Sequence, residues 1–383
     1  MSKLITVFMP TYSRGSSGHL ERAIKSVLRQ TYPNFELLIV DDASVDGSKE
    51  LIERYVRIDR RIKHVRMPKN IGQPALTMGI AYQQSKGDYF TFVYDDCVVS
   101  DQFLAVLIDK MLKNPSLGMA YGQAYIHWRG GRKSLIGAPF DPHNMSKGNN
   151  HIPNVSVIVK REVIEQVGWY DPHFMLSRFY DWDLWCRISH HYRIGFIPEI
   201  IAEEFGASLN DSIGHTMTLM PHLILKYAKI PRNKLLKPNK IDQYDPYSLA
   251  FLDQMQWTDK EKSDVYFLLM ENLVKTHHGD AMIRFAKTLR KTMPRRLLQN
   301  KIYEKNKHLD EEMRLLLESM HFFLNKKEDL MARQAAEKHK MIAELQAYVR
   351  DLQIYIQEQR KYIDYQQQYI DEQQRWIDAR QGG

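Results

Sequence analysis

The 383-residue sequence has only two cysteines, Cys97 and Cys186, and no apolar run long enough to cross a membrane. Two cysteines form neither a disulfide framework nor a four-thiolate metal site, and we therefore expect a reducing compartment. The first residues, MSKLITVFMPTY, are too short in apolar character for a secretory signal. These absences predict a cytoplasmic protein without a transmembrane helix.

The composition is that of an ordinary folded protein, with 44% hydrophobic and 26% charged residues. The formal net charge of +8 is concentrated in residues 221–310, which hold 18 Lys and Arg against 10 Asp and Glu. The rest of the chain is balanced, so we expect no nucleic-acid partner. The basic segment predicts either solvated helix faces or a peripheral contact with anionic lipid.

Short apolar runs alternate with amphipathic stretches over the first hundred residues. The predicted strands are Leu4–Met9, Phe35–Val40, Ile62–Arg66 and Tyr89–Tyr94, and the predicted helices between them are His19–Gln30, Lys49–Arg57 and Gln73–Ser85. This alternation indicates an α/β unit with a mostly parallel sheet flanked by helices. Ligands of such sheets bind at the carboxyl ends of the strands. We therefore expect the functional site at that edge.

The rest of the chain is predicted to contain a long loop and, further on, a helical region and a coiled coil. A Gly-, Pro- and Asn-rich loop occupies residues 129–153, and Lys-, Leu- and Met-rich helices follow from about Thr216. From Tyr348 the sequence repeats in sevens, with Ile or Val at one core position, which is typical of a coiled coil. Gln at the other core position favours a parallel homotrimer, with a dimer or tetramer as alternatives. The predicted domains are a catalytic domain at 1–215, a basic helical linker at 216–325 and a coiled coil at 326–383.

Two pairs of carboxylates follow predicted strands directly. Asp95-Asp96 ends the fourth strand, and two adjacent carboxylates repel unless a cation or a donor lies between them. Oxygen ligands of this kind suit Mg²⁺ or Mn²⁺ held jointly with a diphosphate. Asp41-Asp42 ends the second strand, where a carboxylate can accept hydrogen bonds from a nucleobase or ribose.

The loop after the first strand adds complementary groups. Tyr12 offers a ring for base stacking and Arg14 a cation for phosphate, with Thr11 beside them. Because these residues and the two carboxylate pairs lie at one edge of the predicted sheet, they describe a nucleotide-diphosphate pocket.

Several stretches resemble family 2 glycosyltransferases with the Rossmann-like GT-A fold. They are MPTYSR, SVLRQTYPNFELLIVDDASVDGS, NIGQPALTMGIAYQQSKGDYFTFVYDDC, GWYDPHF and YDWDLWCRI. The resemblance covers a little over half of the chain. It implies a nucleotide-sugar donor, with a UDP-sugar expected first, a divalent cation (Mn²⁺ or Mg²⁺) and inversion at the anomeric carbon.

The resemblance also implies roles for individual residues. The donor would contact the base-binding loop, the acidic pair after the second strand, the following loop and the fourth strand end, that is Thr11, Tyr12, Arg14, Asp41, Asp42, Asn70, Gly72 and Asp95. The family's aspartate-any-aspartate motif falls on Tyr94, Asp95 and Asp96, which makes Asp96 the metal ligand. His215 is the nearest match to a histidine that joins the metal in relatives. Tyr94 and Cys97 stand where further aspartates often occur.

In YDWDLW, Asp181 matches the family's catalytic base, and Asp183 is the competing candidate. Tyr180 stands where a glutamate usually precedes the base. Trp182 and Asp183 are the candidates for acceptor binding.

The predicted function is therefore an inverting glycosyltransferase that uses a nucleotide-sugar donor and the hydroxyl of a glycan, lipid-linked glycan or protein acceptor. The alternative is an oligomeric scaffold or binding protein with a degenerate transferase domain. Nucleotidyl transfer to a sugar phosphate would need a Gly-rich, basic phosphate loop, and PTYSRGSSG matches that poorly.

Overall fold

The computed structural model describes residues 2–206, 219–232 and 236–275, all of which belong to one compact unit. The predicted coiled coil, the greater part of the basic linker and His215 lie outside these residues. No helix among the described residues is long and apolar enough to span a membrane.

Nine strands of the described chain form one sheet with the order β3-β2-β1-β4-β8-β6-β9-β5, in which β7 pairs with β6. The strands are β1 Ile5–Thr11, β2 Phe35–Asp41, β3 Ile62–Arg66, β4 Tyr89–Phe92, β5 Cys97–Val99, β6 Leu117–His127, β7 Lys133–Ile136, β8 Val157–Lys160 and β9 Arg193–Glu204. The α-helices are α1 His19–Leu28, α2 Ser48–Ile58, α3 Pro74–Tyr82, α4 Phe103–Lys113, α5 Pro142–Ser146, α6 Arg161–Val167, α7 Tyr180–Ser189, α8 Pro221–Ala228 and α9 Asp259–Lys275.

The amino-terminal half of the sheet follows the sequence pattern closely. Every residue of β1 and β2 is buried, as expected of apolar strands covered on both faces. The order β3-β2-β1-β4 is parallel throughout. This arrangement places the loops after β1, β2 and β4 at one edge.

The second half of the sheet differs from the prediction of a mostly parallel sheet. β8 pairs antiparallel with both β4 and β6, and β9 pairs parallel with β6 but antiparallel with β5. The predicted loop 129–153 contains β7 and α5. The sheet is therefore mixed, with antiparallel pairings made by β5, β7 and β8.

The helical residues beyond the sheet pack into the same unit. The ring of Tyr227 in α8 stacks on His173 with centroids 4.6 Å apart, and the Trp169 N–H donates to Leu236 O at 2.7 Å. Lys226 in α8 pairs with Glu261 in α9 at 2.8 Å. The described part of the predicted linker is thus part of the sheet's own core.

Candidate active site

The loop after β1 is fastened to the turn DDASVDGS after β2. The Ser13 N–H donates to Ser44 Oγ at 2.9 Å, and the Gly15 N–H donates to Ser48 Oγ at 2.8 Å. A Cβ on Gly15 would lie 2.6 Å from the Ser48 nitrogen, so this approach needs glycine. The loop holds Tyr12 at the sheet edge with its side chain 46% exposed, where a ring can stack on a planar ligand.

Asp41 has a structural role. Its carboxylate is fully buried, accepts from the Ser44 N–H at 2.8 Å and contacts His64 and Arg66. Burial alone would raise the pKa of Asp41, but His64, Ser44 and Arg66 outweigh it and lower the pKa to about 2. The Asp41 side chain has no exposed surface, which argues against a donor contact, and the predicted contact stays a prediction.

Asp42, the adjacent residue, holds the third loop of the edge. Its two carboxylate oxygens accept from the Ile71 and Gly72 N–H groups, each at 2.7 Å. Gly72 has a φ of +69°, a conformation that glycine adopts readily. The structure thus brings Asp42, Asn70 and Gly72 together, and their contact with a donor stays a prediction.

Asp95 and Asp96 follow β4 at the same edge and are partly buried. The pKa of Asp95 is raised by burial and by the charge of Asp96, against the effects of Thr11, Arg14 and the Tyr12 backbone. Burial also raises the pKa of Asp96, which accepts a hydrogen bond from the Cys97 thiol at 3.3 Å. The structure therefore gathers Thr11, Tyr12 and Arg14 around a carboxylate pair whose charge is incompletely compensated.

This pair suits a hard divalent cation that a ligand helps to hold. Among the described residues, no group of three His, Cys, Asp or Glu side chains is placed to hold a metal. Mg²⁺ is commonly bound through one or two carboxylates together with substrate phosphates. Asp95 and Asp96 fit that arrangement. Cys97 is buried and its pKa is raised well above the usual value, chiefly by burial, so it remains a thiol.

Asp181 lies in the first turn of α7. It accepts hydrogen bonds from Asn150 Nδ2 at 3.1 Å and from the Trp182 N–H at 2.7 Å. Burial raises its pKa to about 6, although both hydrogen bonds lower it. Asn150 belongs to the predicted loop 129–153, so that loop orients this carboxylate.

The predicted acceptor-binding residues Trp182 and Asp183 are both buried. Trp182 is 3% exposed, and its indole N–H donates to Met145 O at 2.8 Å. Asp183 is 2% exposed and pairs with Arg187 at 2.8 Å and with Arg232. Because both side chains face the core, their burial argues against acceptor binding and favours Asp181 over Asp183 as the base, and these roles stay predictions.

Glu204 adjoins the candidate site and is not among the residues predicted from the sequence. It ends β9 and is partly buried, and burial together with the charges of Asp96 and Asp181 raises its pKa to about 8. Glu204 is the β-pair partner of Cys97, the residue that follows Asp96, so the two acidic residues lie at the same end of the sheet. The sequence does contain a pattern that could have identified Glu204, because IAEE places acidic residues at a strand end, as the second and fourth predicted strands do.

The first part of the chain is similar to known glycosyltransferases. Residues 6–168 match the family model of glycosyl transferase family 2. An uncharacterized glycosyltransferase of Haemophilus influenzae is 33% identical over 165 residues, covering 42% of this chain and 64% of that protein. Glycosyltransferase GlyG of Streptococcus pneumoniae is 32% identical over 111 residues, covering 29% of this chain and 36% of its own length. The matches thus span less than two thirds of these relatives, and the family model ends before Asp181.

Among solved structures, S. aureus TarS 1-349 in complex with UDP-GlcNAc aligns with a TM-score of 0.45 and 15% identity. The alignment covers 69% of this chain and 81% of that one, and a likeness of this size carries no functional inference. The family match and the sequence relatives show that residues 6–168 are similar to glycosyltransferase family 2.

Proposed function

We propose that the chain is an inverting glycosyltransferase that moves a sugar from a nucleotide-diphosphate donor to an acceptor hydroxyl. One observation carries the proposal beyond the family match. The hydroxyls of Tyr94 and Tyr180 lie 3.2 Å apart, so the segment of the candidate metal ligands Asp95 and Asp96 meets the segment of the candidate base Asp181. They meet beside the carboxyl edge of β1, β2 and β4, where nucleotide ligands of α/β sheets bind.

In the proposed reaction, Asp181 accepts the proton of the acceptor hydroxyl as its oxygen attacks the anomeric carbon. The new carbon–oxygen bond forms on the face opposite the leaving diphosphate, and the bond to the diphosphate breaks with its electron pair. Inversion follows from this single displacement. Asn150 and the Trp182 N–H hold the Asp181 carboxylate in place for the proton transfer.

Asp95 and Asp96 would hold a divalent cation, Mn²⁺ or Mg²⁺, together with the donor phosphates. When bound, the cation offsets the charge that develops on the leaving diphosphate. On the other side of the donor, Tyr12 would stack on the base and Arg14 would contact a phosphate. Asp42 would hold the loop of Asn70 and Gly72 against the nucleoside.

Asp181→Asn tests the role of the base. We expect loss of transfer by at least about 100-fold, the lower end of what a general base contributes, with nucleotide affinity retained. Asp109→Asn is the matched control, because Asp109 pairs with Lys113 on the exposed face of α4. Release of nucleoside diphosphate from a panel of UDP- and GDP-sugars would be measured with and without Mn²⁺. Retained turnover by Asp181→Asn would remove the assignment.

A second candidate is a binding protein with a degenerate transferase domain. The observation in its favour is that Tyr94 and Tyr180 stand where the family pattern has acidic residues. Nucleotide binding without turnover for any donor and acceptor pair would support it. Donor turnover that Asp181→Asn removes would exclude it.

A further inference from the structure

A hydrogen bond joins the two segments that carry the reactive carboxylates. Tyr94 lies two residues beyond β4 and directly precedes Asp95, and Tyr180 begins α7 and directly precedes Asp181. Their hydroxyl oxygens are 3.2 Å apart. The contact lies one residue from the candidate cation ligands on one side and one residue from the candidate base on the other.

The hydrogen bond continues into the core. Asn154 Nδ2 donates to Tyr94 Oη at 2.7 Å, and the hydroxyl of Tyr170 donates to Asn154 Oδ1 at 2.9 Å. Because an amide nitrogen only donates, the Tyr94 oxygen accepts there and keeps its own O–H for Tyr180. Tyr170 is fully buried and packs against Phe92 of β4 with ring centroids 4.9 Å apart.

Ring contacts fix the other end of this chain of hydrogen bonds. The Tyr170 ring meets Tyr180 edge-on at 5.3 Å and Trp185 of α7 at 5.9 Å. Tyr170 therefore contacts both β4 and α7, and it sends a hydrogen bond through Asn154 to the hydroxyl that joins them. The two segments are held at a fixed separation by packing and by oriented donors.

The choice of tyrosine matters because of the charges nearby. The pKa of the Tyr180 hydroxyl is raised by burial and by the carboxyl groups of Asp181, Glu204 and Asp96, which lie near it. Two further carboxylates facing each other there would repel unless a cation lay between them. A pair of neutral phenols joins the same segments without a cation.

Resting on the proposed function, we propose that the Tyr94–Tyr180 hydrogen bond positions Asp181 relative to Asp95-Asp96 for transfer, independently of a bound cation. Both tyrosines are positioning residues in this scheme. Loss of either hydroxyl leaves the nucleotide contacts of Tyr12 and Arg14 in place, but it releases the base-bearing helix from the strand end.

The experiment is a double-mutant cycle of Tyr94→Phe, Tyr180→Phe and the combined variant, with kcat and the donor KM measured for each. Misplacement of a reacting group by about 1 Å can slow a reaction about 100-fold, and we expect about 10-fold lower kcat in each single variant. Donor KM should stay within about 2-fold. The combined variant should lose no more than one single variant, because both remove the same hydrogen bond.

Tyr55→Phe is the matched control, since its hydroxyl donates to Glu21 Oε1 at 2.8 Å between α1 and α2. Urea unfolding of every variant reports the structural effect separately. Kinetic losses that multiply in the combined variant, or wild-type kcat in both single variants, would overturn the inference while Asp181→Asn still upholds the function. A wild-type chain without turnover on any donor would overturn the function, and the positioning role with it.

Discussion

Arg232 is the residue through which the helical segment beyond the family match holds the helix of Asp181. It is 4% exposed, its Nε lies 2.7 Å from Asp171 Oδ2, and its Nη2 pairs with Asp183 of α7. Its Nη1 donates to Tyr227 O at 2.6 Å. With Arg187, the cluster contains two carboxylates and two guanidinium groups, so its buried charges balance.

Arg232→Met removes one positive charge and keeps most of the side-chain volume. An uncompensated carboxylate then remains in the core, and breaking a buried ion pair in this way costs about 3–5 kcal/mol of the free energy of unfolding. Burial acts to raise the pKa of Asp183, and Arg232 and Arg187 outweigh it to hold that pKa below its usual value. Without Arg232, the effect of burial raises the pKa of Asp183, and one proton bound by a carboxylate would neutralise the cluster. The loss should therefore be smaller at pH 5 than at pH 7.5.

Urea unfolding followed by tryptophan fluorescence at the two pH values measures this loss. Arg29→Met is the matched control, because the ion pair of Arg29 with Asp101 is more than half exposed on both sides and is expected to contribute about 1 kcal/mol or less. Adding Asp171→Asn to Arg232→Met should recover part of the loss by restoring the charge balance. Equal destabilisation by Arg232→Met and Arg29→Met would refute the reasoning.

Four further predictions rest on single features. The kcat/KM of the wild type should fall with acidification through an apparent pKa of about 6, because a base must be deprotonated and burial raises the pKa of Asp181 to that value. A kcat/KM that stays constant from pH 8 to pH 5 would argue against this base. Asp41→Asn should lower the free energy of unfolding by about 2 kcal/mol at pH 7, because the pKa of Asp41 is about 2 in the folded chain against an ordinary value of 3.8. Urea titrations should show that the difference between variant and wild type vanishes as the pH falls from about 4 toward 2. Gly206→Ala should weaken Mn²⁺ binding measured by calorimetry, since a Cβ there would overlap the Asp96 carboxylate, and unchanged affinity would place the cation elsewhere. A chain that ends at residue 325 should be a monomer by light scattering, while the intact chain should be a trimer, as the heptads from Tyr348 predict. The same number of chains per particle in both proteins would contradict this.

The elements of the first ninety residues could be predicted because their pattern is local. The predicted third strand, Ile62–Arg66, has the observed bounds, and the strand Phe35–Val40 is one residue short of β2. Antiparallel pairing in the second half was not predictable in the same way. β8 pairs with β4 from about seventy residues away, and no turn or helical crossover in the sequence indicates that partner.

Asp181 and Asp183 show what the sequence alone does not determine about the site. Asp181 and Asp183 lie two positions apart on α7, which turns their side chains about 200° around the helix axis. The first therefore faces the cleft and the second the core. The motif YDWDLW locates the correct turn of the helix. It does not show which face of that turn is buried, because the burial of Asp183 depends on Arg232, a residue distant in the sequence.

The carboxyl groups of Asp181 and Glu204 differ in pKa. Both Asp181 and Glu204 have a raised pKa because they are buried near other acids, yet the pKa is about 6 for Asp181 and about 8 for Glu204. The difference has a visible cause, since Asn150 and the Trp182 N–H donate to Asp181 and stabilise its charged form. At neutral pH, without a bound cation, Asp181 is therefore ionised and can accept a proton, while Glu204 is mostly protonated and can donate a hydrogen bond. Proximity alone would make either residue a candidate base, and the two donors to Asp181 decide between them.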